Sequence, residues 1–464
     1  MTSVNAVDIG VGATSVGLVN VSGVGSTLSV LGTSFLNIGR LGSGSLIIRD
    51  GGRVTAGIVE MAFNASGVGT LSIDGVGSRL DVAGPLNALS GDTTIAISNG
   101  GVLTTTDFIS IFAGARVTLD GGRWESTAPA NISGVLEGSG TMDVPDINLT
   151  GPGPKRLHTS AGDRLILTGQ LDNDFGLVDL AGGELDVRGV LLNSSDIDAR
   201  DGATLRVGGA GLDNDSGAQL AITGGSVDVF GAVDNNADAE IAVTGGSTAT
   251  FHDGVTNNGT IFVSASSEIV LLENLSFVPS STLGVELASI SPAADPTDVL
   301  GLVNISGASA LAGTLSISLA SGFAPTLGDS YEIVRASGGL SGAFAVESLP
   351  ALGGGLGFDV LYTPTAVVLS VVSAPQFSAD FDEDGDVDGD DLNTRWKPGF
   401  GASSTIADAD DDGDSDGADF LEWQRQVGSG LAVAAGGVVP EPGAMVLATL
   451  AAGILVYRRR RLDR

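Results

Sequence analysis

Five asparagines, Asn173, Asn193, Asn214, Asn235 and Asn257, stand 20, 21, 21 and 22 residues apart. Each follows an apolar run and a glycine-rich turn, as in LAITGGSVDVFGAVDN, which ends at Asn235. A ruler this regular restricts the chain to a fold that adds one similar layer every ~21 residues. Short strands cannot bury a face alone, so the layers must stack, and a β-helix coil is the expectation. Stacked asparagines could then bond from rung to rung along the side of the coil. The same residues also tolerate the left-handed backbone of a turn. The two readings are compatible, and either way the period stands.

The same grammar is already present upstream. Residues 17–32 read GLVNVSGVGSTLSVLG and residues 69–84 read GTLSIDGVGSRLDVAG, while SLIIRDGG (45–52) is echoed by TIAISNGG (94–101) and VTLDGG (117–122). Each is an alternating apolar and polar run stopped by glycine, the pattern of a strand with one buried face. The 71 glycines follow no collagen triplet, and 42% hydrophobic residues is too many for a disordered chain. A net charge of −34 would repel phosphates and argues against nucleic acid as a partner. The absence of cysteine is compatible with either redox compartment. The first residues, MTSVNAVDIGVG, lack the basic and apolar regions of an export signal. Val7-Asp8-Ile9-Gly10 already reads as mid-repeat, like Leu36-Asn37-Ile38-Gly39. We expect a longer natural amino terminus that carries the export signal.

The block from residue 1 to about 125 resembles the repeats shared by autotransporter passengers and PEP-CTERM surface proteins. That resemblance implies a secreted, β-helical, adhesive or structural protein, and it transfers no catalytic residue. Beyond residue 261 the period fades, although GTLSISL, DSYEIVRA and AVVLSVV stay strand-like. A β-rich module is expected here to close the open end of the solenoid. The module also resembles the one that commonly precedes the anchor in such surface proteins.

β-Helices host polysaccharide lyases and glycosidases, so the turn carboxylates require scrutiny. Asp172, Asp213 and Asp234 each precede a ladder asparagine. Stacking would put Asp213 and Asp234 on adjacent rungs about 4.8 Å apart, near the about 5–5.5 Å of a retaining pair. The column is Leu192 one rung earlier and Thr256 one rung later, no aromatic sugar platform is evident nearby, and the only histidines, His158 and His252, are far apart. Solvated turn aspartates are the expectation, and Trp124 is expected to be packed or partly exposed at a turn.

Fifteen of the 55 acidic residues fall between Asp380 and Asp419. Counting from Asp380, aspartates at 382, 384, 388 and 391 occupy positions 3, 5, 9 and 12, with Gly385 at position 6. Asp408, Asp410, Asp412, Asp416 and Asp419 repeat the pattern 28 residues later, with Gly413 at position 6. Oxygens at alternate positions, a turn glycine and a closing carboxylate are the ligand order of a calcium loop. Asp386 and Asp414, at position 7, would offer backbone carbonyls. Two calcium ions are expected. Apolar residues follow each loop, Leu392, Trp396 and Phe400 after the first and Phe420, Trp423 and Val427 after the second. They predict short helices, the first cut to about a turn and a half by Pro398 and the second stopped by Gly428. No amphipathic helix precedes the first loop, because residues 374–379 read APQFSA.

A loop followed by a helix, twice over, resembles a dockerin across roughly residues 379–428. The resemblance implies that Asp380, Asp382, Asp384, Asp388 and Asp391 ligate one ion, and Asp408, Asp410, Asp412, Asp416 and Asp419 the other. It also implies a cohesin-like partner. The chain departs from the family at Ser415, where position 8 is usually apolar, and at Gly389-Asp390 and Gly417-Ala418, where recognition hydroxyls are usual.

Near the end stand Pro440-Glu441-Pro442, then 15 uncharged residues over 443–457, then Arg458, Arg459, Arg460 and Arg461. The triplet, apolar stretch and basic end resemble a PEP-CTERM sorting signal, which implies an exosortase-type processing enzyme and a C-terminal transmembrane helix. A 15-residue helix spans only about 22 Å against a hydrocarbon core of about 30 Å, so it would hold the chain transiently.

The expected architecture is all-β: a right-handed β-solenoid with a cap, a small α-helical calcium module and the membrane helix. The expected boundaries are 1–130 and 131–262 for the solenoid, 263–374 for the cap, 375–430 for the calcium module and 431–464 for the sorting signal. The functional expectation is a non-enzymatic, exported surface or matrix protein that contacts polysaccharide or matrix. The alternative is a carbohydrate-active enzyme or subunit of a dockerin-based assembly.

Overall fold

The computed structural model describes residues 2–4, 6–30, 32–89, 91–150, 156–288, 302–353, 355–373, 377–382, 384–402, 407–410 and 413–429. The chain divides into two compact units, residues 1–373 and 374–464.

The first unit is a β-solenoid of the right-handed type, as expected. Each full rung contributes three strands, one to each of three parallel faces. One face is a separate 15-stranded sheet that includes Val7–Ile9, Phe35–Ile38 and Ile58–Met61. The other two are joined into a 30-stranded sheet. Two long strands, Ala115–Ser126 and Val135–Asp143, join them by running from one face to the next: the first pairs with both Asp92–Ser98 and Val102–Thr105, the second with both Arg156–Ser160 and Arg164–Leu167. Alternation along each strand sends one set of side chains inward, and stacking puts like on like: Val54 under Leu80, Leu80 under Leu103, Leu103 under Trp124. Trp124 is therefore packed in the interior, fully buried, with its indole N–H donated to Thr105 Oγ1 at 3.2 Å.

The corners demand glycine where two rungs touch. Gly10 and Gly39 follow the matched VDI and LNI strands, at φ +73° and +74°. A Cβ there would lie 2.2 Å from the Ser43 carbonyl oxygen and 2.0 Å from that of Val68. Positive φ and a backbone carbonyl in the side-chain position exclude any larger residue.

The asparagine ladder exists, and it is inside. All five residues lie in strands at full burial, none at positive φ, so the turn reading is set aside and the placement on the side of the coil is corrected. Nδ2 of Asn173 donates to Oδ1 of Asn193, and the bond repeats from Asn193 to Asn214, Asn214 to Asn235 and Asn235 to Asn257, each at 2.8 Å. The second amide hydrogen of each goes to a backbone carbonyl one rung on, that of Asp196, Gln219, Glu240, Thr260 or Thr282. Below Asn173 the next rung offers apolar Leu149, fully buried, and Asn173 Oδ1 ends the chain of bonds without a partner.

The region over 263–374 is mostly more solenoid. Thr282–Leu287 pairs in parallel with Thr314–Leu319, and Leu302–Ile305 with Ser330–Ala336. The period fades because the rungs lengthen: Ser309 bonds Leu275 across 34 residues and Ser341 bonds Ser309 across 32. The cap itself is smaller than expected. It is the antiparallel hairpin of Leu356–Tyr362 and Ala366–Ser373, whose second strand pairs with Ser330–Ala336 and ends the parallel order.

The fold expectation is corrected on the membrane helix. No helix among the described residues is long and apolar enough to cross a membrane. The helices found are short: a π-helical turn over Asp391–Trp396 running into Lys397–Gly399, and Gly417–Gln426. The stretch 443–457 assigned to the membrane lies outside the described residues.

Replacing Asn214 with Ala deletes three hydrogen bonds and leaves Asn193 Nδ2 and Asn235 Oδ1 short of partners in a dry interior. A loss of about 2–4 kcal/mol is expected in chemical denaturation of the whole protein. A change below about 0.5 kcal/mol, the scale of an ordinary surface substitution, would show that the ladder is not a stabilising element.

Candidate metal centre

The two acidic loops of the second unit share hydrogen bonds at corresponding positions. In the first, Asp391 is fully buried and turns its carboxylate back across the loop. Its Oδ1 accepts from Phe381 N at 2.8 Å and Asp382 N at 3.2 Å, and its Oδ2 accepts from Asp388 N at 2.7 Å. In the second, Asp419 is equally buried and accepts from Ala409 N and Asp416 N, both at 2.6 Å. Asp380 Oδ2 accepts from Gly385 N at 2.9 Å, and Asp408 Oδ2 from Gly413 N at 2.8 Å. Those glycines stand at φ +99° and +96°. At this turn the chain folds the position-1 carboxylate over the position-6 amide, which only glycine adopts without strain. The first-position and closing carboxylates are thus fixed by backbone donors before any ion is considered.

Among the described residues, three groups of carboxylates come close enough to share a cation, each with its ligand atoms within 4.8 Å of one another: Asp380, Asp382 and Asp384; Asp386, Asp388 and Asp391; and Asp408, Asp410 and Asp419. Asp416 caps the following helix, accepting from Ala418 N at 2.6 Å and forming a capping box with Asp419. Asp414 lies in the described part of the second loop, whereas Asp412 lies outside the described residues.

The donor set suits a hard cation. All candidate ligands are carboxylate oxygens, and Asp382 Oδ1 and Asp386 Oδ1 are buried without a hydrogen-bond partner. Burial, then repulsion from Asp391 and Asp384, pushes the Asp382 carboxyl up to about 6 from an ordinary 3.8. Burial also raises Asp380 and Asp386, with neighbouring aspartates adding to the effect. Clustered carboxylates that resist ionisation are what a bound divalent ion relieves.

Sequence spacing did not reveal how the halves clasp. Trp423 Nε1 donates to the Asp388 carbonyl of the first loop at 2.7 Å, and Trp396 Nε1 to the Asp416 carbonyl of the second at 3.0 Å. Each tryptophan follows one loop and holds position 9 of the other. The rings of Trp396, Phe420 and Trp423 pack between the halves, at centroid distances of 5.1 and 5.6 Å. The two tryptophans stand 27 residues apart against a loop repeat of 28, which is the signal that was available. The position-8 residues, Val387 and Ser415, are both fully buried. Val387 exchanges backbone bonds with 428–429 and Ser415 with 401–402. The serine is accommodated because its Oγ donates to Ala407 O at 2.9 Å. The helical stretch after the first loop is longer than a turn and a half, because Pro398 sits inside the Lys397–Gly399 turn, where its missing N–H is tolerated.

On the solenoid, Asp213 and Asp234 are in register as expected, with Leu192 before them and Thr256 after. Asp213 is held by Asn236 Nδ2 at 2.6 Å. Burial raises its carboxyl, Asp215 adds to the rise and the Asn236 bond opposes it, while Asp234 contributes least. Asp172 is pushed up to about 6 by burial and by Asp174. An aromatic surface that spacing had hidden lies close in sequence: Phe230 stacks on His252 at 4.2 Å, with the Arg206 guanidinium 5.2 Å from the Phe230 centroid. Pro440, Glu441, Pro442 and Arg458 to Arg461 lie outside the described residues.

No family model matches the chain. The uncharacterized lipoprotein YdeK of Escherichia coli (strain K12) is 37% identical over 71 residues, 15% of this chain and 5% of that protein. The chain thus spans about a twentieth of the length of the curated relative it matches. The crystal structure of the TibC-catalyzed hyper-glycosylated TibA55-350 fragment aligns over 74% of this chain and 100% of its own, at 17% identity and a TM-score of 0.32. That likeness is too low to carry an argument. The fold rests on the strand register instead.

The raised Asp382 carboxyl gives a pH dependence to the metal-free protein. Its proton is held more tightly in the fold than in the unfolded chain, so the folded unit loses stability as pH rises from about 4 to about 6. Without metal, tryptophan-monitored unfolding of the second unit is expected to be harder at pH 5 than at pH 7. With calcium the order reverses, because protons compete with the ion. The same order with and without calcium would contradict this account.

Proposed function

We propose that the chain is an exported surface or extracellular-matrix β-solenoid, structural or adhesive in role, whose acidic unit folds around two calcium ions. The observation that supports the calcium reading best is the duplicated loop. Corresponding positions carry the same hydrogen bonds 28 residues apart, and the side chains that cluster there are carboxylates. An ion in the first loop would be held by Asp380, Asp382, Asp384, Asp388 and Asp391 with the Asp386 carbonyl. The second would use Asp408, Asp410, Asp412, Asp416 and Asp419 with the Asp414 carbonyl. Calcium accepts six to eight oxygens in flexible geometry, which suits this donor set better than the strict octahedron of magnesium. Its charge would offset the burial and the repulsion that raise Asp382.

Export is supported by the chemistry of the site, since weak calcium loops fill where calcium is millimolar. The short match to a protein named a lipoprotein agrees with a place in the cell envelope. Processing by an exosortase-type enzyme at Pro440-Glu441-Pro442 rests on the tail sequence. A repetitive face of parallel strands would present polysaccharide or matrix with many equivalent contacts. A cohesin-like partner is a weaker proposal, because the exposed positions Gly389, Asp390 and Gly417 lack the recognition hydroxyls.

Titration of the full chain with calcium is expected to show two sites, and Asp391→Ala to leave one. Adding chelator should open residues 377–429 to protease while sparing the solenoid, and shift the emission of Trp396 and Trp423 without moving that of buried Trp124. Identical cleavage with calcium and with chelator would defeat the reading.

A further inference from the structure

The solenoid brings together a serine, a histidine and an aspartate that the sequence keeps apart. His158 and Ser160 both point outward from the strand Arg156–Ser160, since Thr159 between them is buried in the interior. Asp179 lies directly above His158 on the next rung, in Leu177–Ala181. Although Asp179 faces outward, only 1% of it is exposed. Ser160 Oγ is 2.9 Å from His158 Nε2, and His158 Nδ1 is 3.2 Å from Asp179 Oδ2.

The hydrogen-bond pattern fixes the imidazole tautomer. Nδ1 faces two acceptors, Asp179 Oδ2 and the Asp179 backbone carbonyl at 3.0 Å, so Nδ1 carries the proton. Nε2 is then a bare acceptor, and the Ser160 hydroxyl donates to it. In its buried place Asp179 pairs with Arg200, whose Nη1 lies 2.6 Å from Asp179 Oδ1. The order is nucleophile, base and orienting carboxylate, with the nucleophile exposed. Gly162, in the turn after Ser160, has open space where a side chain would stand, so a reagent can reach the hydroxyl.

We propose that Ser160 is a nucleophile activated by His158 and oriented through Asp179, reactive toward esters and related activated acyl groups. In the step, Ser160 Oγ bonds to the carbonyl carbon and its proton passes to His158 Nε2. The ester C–O bond breaks as that proton is delivered to the leaving alkoxide, and water releases the acyl group by the same relay. Arg200 shares the Asp179 charge and weakens the pull on His158. Covalent capture of Ser160, rather than rapid turnover, is therefore the decisive readout.

The experiment exposes the full chain to a fluorophosphonate, which leaves a phosphonyl–serine bond as fluoride departs, and maps the modified serines by mass spectrometry. Ser22 is the internal control, because its hydroxyl is partly exposed and bonds the Asp50 carboxylate at 2.7 Å with no imidazole beside it. Ser160 is expected to label at least about tenfold faster than Ser22, the low end of what a positioned base contributes being about a hundredfold. His158→Gln should bring Ser160 down to the Ser22 rate, and Ser160→Ala should remove the label with the circular dichroism spectrum unchanged. Labelling of Ser160 no faster than Ser22, or unaffected by His158→Gln, overturns the proposal.

Discussion

The first unit depends on parallel backbone hydrogen bonding that holds register from rung to rung, shifting only locally at Ile97/Ser98 and Asp120/Gly122 among the parallel pairs described. From the first rungs to Val346–Ser348, each strand sits in register on its counterpart one rung away. That constraint sets everything else, because identical register places the same side-chain column at the same corner of every rung. Apolar columns then fill the interior at crystal-like density. A polar residue inside is stabilised where neighbouring rungs supply its partners. Asparagine meets that condition: it donates upward and accepts from below with one planar group. The ladder begins abruptly at Asn173 because the rung beneath offers Leu149, and one unpartnered Oδ1 marks the boundary.

The acidic unit obeys the opposite economy. Its stability problem is repulsion rather than stacking, and the backbone has already arranged donors around Asp380, Asp391, Asp408 and Asp419. Those bonds satisfy some oxygens and leave others, notably Asp382 Oδ1, turned inward without a donor. The two halves are joined by reciprocal indole-to-carbonyl bonds, so each loop is shaped partly by the helix of the other. A change in one loop is transmitted to its partner through Trp396 or Trp423.

Much was legible in advance because it lives in local chemistry. The asparagine ruler gave the rung, the position-6 glycines gave the loop turn, and Asp213 was placed on Asp234 by counting alone. Other features were illegible for definite reasons. The rungs after residue 275 lengthen beyond thirty residues, which erases the period without ending the solenoid. The ladder's burial depends on which way the strand faces, and a one-residue shift would have turned every asparagine outward. The membrane helix was implied by the resemblance of the tail to a sorting signal, and no helix among the described residues supports it.

By itself, the sequence determined the repeat, the parallel stacking it requires and the spacing of the acidic residues, because each follows from order along one chain. Only the tertiary structure decided which columns meet. His158, Ser160 and Asp179 become neighbours because a rung of about 21 residues returns the chain to the same corner. Trp396 and Trp423 exchange loops because the two halves fold face to face. Contacts across rungs and between halves depend on register in space, which spacing in sequence constrains but does not specify.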